Sequence, residues 1–127
     1  MSLNEIGGAV TQLVITCRTP ASGEVDIKRG DVVVLKDDYT AGHADQAEEV
    51  ILGQAFASVA GNNRPLPVLV RGVARFAYTG AAPELTGEAN ALSSSSEPGK
   101  AAKDEFGAGK GVALAVDDAA GTVDVLL

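Results

Sequence analysis

One histidine, His43, and one cysteine, Cys17, bound the nucleophilic chemistry open to this chain of 127 residues. A Ser-His-Asp or Cys-His arrangement would have to be assembled around His43. That residue stands beside Gly42 in a polar stretch and reads as a surface histidine. Cys17 falls in an apolar-alternating run, where a thiol behaves as a small hydrophobe, and alone it cannot form an internal disulfide. One Cys and one His also fall short of a Cys/His zinc set. The pairs Asp37-Asp38 and Asp117-Asp118 offer oxygen ligands of the kind calcium takes. Neither has the spacing of a calcium loop, so both read as solvated turn residues. Acid-base work on a glycan needs a cleft with aromatic platforms, and the chain has no Trp and two Tyr. Gly107-Ala108-Gly109-Lys110-Gly111 lacks both the four-residue spacing and the following Ser or Thr of a phosphate-cradling loop. The expectation is a non-enzymatic chain with no cofactor and no metal.

Charge narrows the partners. Ten basic against seventeen acidic residues give a formal net charge of −7, which repels phosphate backbones. Nucleic acid is therefore not an expected partner. The start, Met1-Ser2-Leu3-Asn4-Glu5, lacks a basic leader and an apolar h-region, and no apolar run approaches the roughly 20 residues of a membrane helix. A soluble protein with no membrane partner is expected. Arg71 and Arg75 share one face of a long strand signal that Arg64 precedes. Such a basic line suits either an acidic partner surface or neutralisation by nearby Asp and Glu.

The elements that must position these residues read as short strands. Aromatics are 4% of the chain while hydrophobic residues reach 46%, so the core is Val, Leu, Ile and Ala, punctuated by 15 glycines. Gly8 to Arg18 is a strand with Leu13, Ile15 and Cys17 on one side. Val32 to Leu35 is a β-branched strand buried on both faces. Ala44 to Val50 favours helix by composition but is too short for more than one turn. Val50 to Ala60 reads as a strand bent or closely approached at Gly53. Pro65 to Tyr78 is the longest strand signal, with Leu66, Val68 and Val70 on one face. Thr79 to Gly111 reads as a flexible Ser/Gly-rich excursion, with a hairpin whose arms are 89–92 and 100–103 as the alternative. At the end, Val112, Leu114 and Val116 alternate, 117–121 turns, and Thr122 to Leu127 returns as a strand that must be covered or paired. The expected fold is all-β, a compact β-barrel or β-sandwich with a long Ser/Gly-rich loop and at most one short helix. Residues 1–11 read as an N-terminal arm and 12–127 as a single β domain.

Three segments carry a resemblance: Val25 to Leu35 (Val-Asp-Ile-Lys-Arg-Gly-Asp-Val-Val-Val-Leu), Pro67 to Phe76 (Pro-Val-Leu-Val-Arg-Gly-Val-Ala-Arg-Phe), and Gly111 to Leu127, with its Gly-Val-Ala-Leu opening and Gly-Thr-Val-Asp-Val-Leu-Leu close. In this order they resemble the capsid decoration, or cement, proteins of tailed phages, through short β motifs from Val25 to Leu127. The resemblance implies a β-barrel or β-sandwich on the outer face of an icosahedral shell, commonly as a homotrimer at threefold or quasi-threefold positions. It implies the major capsid protein as partner, a virion location on the outer capsid surface after synthesis in the host cytoplasm, and no catalytic residues. In many relatives an N-terminal arm makes the shell contact, which points here to Ser2 through Thr11, with Asn4, Glu5 and Ile6 as candidates beside Arg64, Arg71 and Arg75. The segment Asn4 to Gly8 is poor in core-forming residues, as suits an arm that orders on binding. The Ser-rich insert from Ser93 to Gly99 departs from the commonest family pattern. A small β-barrel binding module for a glycan or peptide shares every fold signal and is the alternative.

Overall fold

The computed structural model describes residues 11–86, 90–105, 107 and 109–127. Among them the chain forms twelve strands and no helix: β1 (Leu13–Arg18), β2 (Asp26–Ile27), β3 (Val32–Asp37), β4 (Thr40–Gly42), β5 (Gly53–Ala55), β6 (Val59–Ala60), β7 (Pro65–Arg71), β8 (Val73–Ala77), β9 (Leu92–Ser94), β10 (Ala101–Lys103), β11 (Val112–Asp117) and β12 (Thr122–Leu126). The all-β expectation holds. Five strands close a barrel in the order β1-β4-β3-β5-β7. A second sheet, β11-β12-β8, packs beside it, and β9-β10 and β2-β6 are two-stranded. The N-terminal arm read at 1–11 lies outside the described residues except for Thr11.

Two apolar clusters follow from this layout. One fills the barrel, with Cys17, Ile27, Val33, Ala41, Ala55, Leu66 and Val68. The other joins the barrel to the second sheet through Val32, Leu69, Phe76, Leu92, Val123 and Val125. Val32 and Val33 are both buried but serve different clusters, which is why that stretch is apolar on both faces. Gly53 permits the β5-β7 contact, because a Cβ there would lie 2.1 Å from the Leu69 carbonyl oxygen. β12 is the central strand between β11 and β8, so its apolar sequence is paired on both edges.

Three expectations need correction. The run Pro65 to Tyr78 is two strands in different sheets, broken at Gly72, whose φ of +126° turns the chain from the barrel into the second sheet. Ala44 to Val50, read as holding one helical turn at most, forms no helix; Glu48 adopts φ +67°, and the Glu49 carboxylate accepts the amides of Asp45 and Gln46 at 2.7 and 3.0 Å. The Ser-rich stretch is not a loose excursion: Ser93, Ser94 and Ser95 are buried, and β9-β10 is the hairpin that stood as the alternative. In β11 the buried residue is Ala113, while Val112 and Leu114 face out, because a bulge between Ala113 and Ala115 shifts the alternation.

Candidate interaction surface

The barrel is closed unevenly. β1 pairs with β7 along its whole length, but its contact with β4 is the single parallel pair Arg18↔Thr40, carried by the Arg18 N–H to the Tyr39 carbonyl at 2.8 Å. β4 runs parallel to β1 from that point onward, so the residues before Arg18 extend past the tip of the β3-β4 hairpin. Beneath that tip lies an apolar cavity of about 400 Å³ lined by Ile15, Cys17, Leu35, Asp38, Tyr39 and Leu52. Leu35 is 59% exposed and Tyr39 71%, unusual for large apolar side chains grouped at one opening. Leu35 and Leu52 also line an adjoining groove that continues to Val50 and Lys110. The Lys110 ammonium donates to the Leu52 carbonyl at 2.9 Å, and burial, then repulsion from Arg71, holds its pKa below the usual lysine value.

A second, polar cavity of about 570 Å³ opens between the loop after β1 and the end of β4, with Glu24, Asp26, Lys36, His43, Asp45 and Pro98 among its walls. His43, read from sequence as a surface residue, is only part-exposed, and its Nε2 lies 2.7 Å from Asp31 Oδ2. Lys36 pairs with Asp45 at 2.9 Å. Among the described residues no serine or cysteine hydrogen-bonds the His43 ring. Cys17 is buried, and burial pushes its thiol pKa up.

The arginines do not form one line. Arg64 and Arg71 flank opposite ends of β7, about 20 Å apart at the rise of a strand. Arg75 lies across Gly72 in β8, where it meets its register partner Asp124 through two hydrogen bonds of 2.7 and 3.2 Å. All three are exposed, and Arg71 makes no ion pair among the described residues. Asn4, Glu5 and Ile6 lie outside the described residues. The acidic pairs serve turns: Asp37 accepts the Asp38 amide, Asp117 accepts the Ala120 amide, and Asp118 accepts the Tyr78 hydroxyl. Among the described residues no group of three or more His, Cys, Asp or Glu side chains is placed to hold a metal ion. No helix among them is long and apolar enough to cross a membrane.

Sequence reasoning missed the barrel mouth because it is a property of register. Leu35 sits in the same apolar run as Val32, Val33 and Val34, and nothing local marks it as the exposed member. Tyr39, in a polar turn, was the available signal. The chain matches no protein-family model and no curated protein sequence.

Proposed function

We propose that this chain is a structural virion protein that binds the outer surface of a tailed-phage capsid and stabilises contacts between major capsid subunits, acting there as a homotrimer. The observation that carries this reading is where the three resembling segments fall. Val25 to Leu35 forms β2 and most of β3, Pro67 to Phe76 forms most of β7 and β8, and Gly111 to Leu127 holds the hairpin β11-β12. These strands supply Val32, Leu69, Ala74, Phe76, Val123 and Val125 to one shared cluster, which supports reading the three motifs as one framework. The acidic, Gly-punctuated surface suits a protein held at high density without non-specific sticking. Shell contact is assigned to the N-terminal arm with Asn4, Glu5 and Ile6, and to Arg64 and Arg71, which make no ion pair among the described residues. The test is stoichiometry against the major capsid protein in purified particles by quantitative mass spectrometry. A ratio near one to one supports the reading, and a few copies per particle or none rejects it.

A second reading, a small binding module for a glycan or peptide, is favoured by the polar cavity beside His43, whose volume of about 570 Å³ lies within the range of ligand sites. A monomer in solution with saturable ligand binding, altered by substitution of His43, would favour it.

A further inference from the structure

We infer that the open edge of β1, together with the apolar barrel mouth beside it, is a docking site for an extended segment of a partner protein, which adds to the barrel as a further strand. The inference concerns a surface that neither reading above uses, and it stands whether or not the partner belongs to a shell.

The argument starts from backbone accounting. Backbone N–H and C=O groups of alternate residues in a strand point to the same edge. Arg18 turns its amide to Tyr39 on the β4 side, so Thr16 and Val14 turn theirs the same way, the register from Val14 to Arg18 being regular. On that edge neither has a backbone partner among the described residues, because the β1-β4 pairing ends at Arg18↔Thr40. Native barrels abolish edges by closing, and a strand left open is a template for another chain. Edge strands are commonly blunted by an inward charge or a proline, yet Leu13 to Cys17 reads Leu-Val-Ile-Thr-Cys, with neither.

The side chains beside this edge complete the site. A strand laid along Val14 and Thr16 passes over the cavity lined by Ile15, Leu35, Tyr39 and Leu52. Pairing supplies main-chain hydrogen bonds, and alternate apolar side chains entering the cavity supply selectivity, the division of labour of strand addition. Charge points to the occupant. Asp38 lines the mouth, and Glu48 and Glu49 line its adjoining groove, outweighing Lys110 there and Arg71 near it. Arg18 is already engaged, its guanidinium donating to Thr40 Oγ1 and to the Asp38 carbonyl at 3.2 and 3.1 Å. A second copy would bring a charge of −7 and its own Asp37 and Asp38 to the seam. The fitting partner is a segment of a different protein, apolar at alternate positions and carrying lysine or arginine.

The experiment uses the full chain, isotopically labelled, with the peptide acetyl-Lys-Val-Thr-Val-Thr-Val-Lys-amide as probe, read by amide hydrogen exchange and NMR titration. The expected result is that Val14 and Thr16 amides exchange freely alone and slow on adding peptide. Thr16→Pro removes an outward N–H without touching the β7 ladder, and proline is tolerated on an edge. It should weaken binding by about tenfold or more, as should Leu35→Lys, which decides the matter if Thr16→Pro fails to fold. Undiminished binding by Leu35→Lys, or shifts that avoid β1, overturns the inference. Protection of Val14 and Thr16 in the free chain also overturns it: if independent of concentration the edge is covered by the chain itself, and if it grows with concentration the occupant is a second copy.

Discussion

His43 Nε2 lies 2.7 Å from Asp31 Oδ2, joining the exit of β4 to the turn that opens β3. The same carboxylate oxygen accepts the Lys28 amide at 3.0 Å, and Val32, the next residue, donates its N–H to the Gly99 carbonyl at 2.9 Å. One short stretch therefore ties the β2-β3 turn, the β4 exit and the Ser-rich hairpin together. Asp31→Ala strips both donors of their acceptor and should cost about 1–3 kcal/mol. His43→Ala leaves the Lys28 bond in place and should cost less than Asp31→Ala. Urea unfolding of both variants checks the order, and equal losses would show that the Lys28 contact contributes nothing.

Ser94 is the peg of the Ser-rich hairpin. Its Oγ accepts the Glu49 amide at 2.9 Å and donates to the Gln46 carbonyl at 2.8 Å, while its backbone exchanges bonds with Glu48 and Glu49. Ser94→Ala orphans a donor and an acceptor in a buried place and should destabilise by about 1–3 kcal/mol. Ser96, exposed in the hairpin turn, should tolerate Ala within about 0.5 kcal/mol. Denaturant midpoints of the two variants separate a buried hairpin from a loose loop.

Alkaline pH should act on two residues in opposite senses. The hydrogen bond to Asp118 raises the Tyr78 pKa, so folding favours the neutral phenol. That contribution is whole below the unfolded value of about 10 and is lost as pH climbs through the raised folded value. Lys110 has its pKa lowered, chiefly by burial, so stability from this group rises with pH between the folded value and the unfolded one of about 10.4. Unfolding midpoints from roughly pH 8 to 11 should fall less steeply in Tyr78→Phe and more steeply in Lys110→Met than in the parent.

Local pattern was enough for some elements and not for others, and the difference is physical. The final hairpin was legible because Asp117 to Gly121 is dense in turn residues between two β-rich runs. Gly53 was legible because a glycine among apolar residues marks a close approach, here to the Leu69 carbonyl. Gly72 carried the same sign and was read as strand interior, since alternation continues across it even though the sheet changes. The bulge at Ala113 to Ala115 and the burial of Ser93, Ser94 and Ser95 depend on partners remote in sequence, β12 and the 45–49 turn. The barrel mouth was illegible for the same reason: it exists because β1 outruns β4, which no single segment encodes.

Gly53→Ala tests the tightest site among the described glycines. The added methyl would meet the Leu69 carbonyl oxygen at 2.1 Å and Val68 Cγ1 at 2.9 Å, and neither backbone can retreat without opening the β5-β7 pair. A loss above about 3 kcal/mol or failure to fold is expected. Gly80→Ala, with nothing within 4 Å of the new atom, meets only the strain of φ +78° and should cost about 1 kcal/mol. Thermal unfolding of the pair distinguishes crowding from backbone strain, because the crowding model requires Gly53→Ala to be far the worse.

Deleting Ser2 to Gly8 separates folding from attachment. Every strand described begins at Leu13 or later, and both apolar clusters draw on residues from Ile15 onward, so the thermal midpoint should stay within a few degrees of the parent. If shell contact runs through the arm, occupancy on particles should nonetheless fall. With many symmetric copies a modest loss per site is multiplied across the lattice, so the drop should be steep in a dilution series. Particles incubated with parent or truncated protein, washed and quantified by mass spectrometry, give the comparison. Unchanged occupancy would move the contact to the folded domain, where Arg64 and Arg71 are the charges to substitute next.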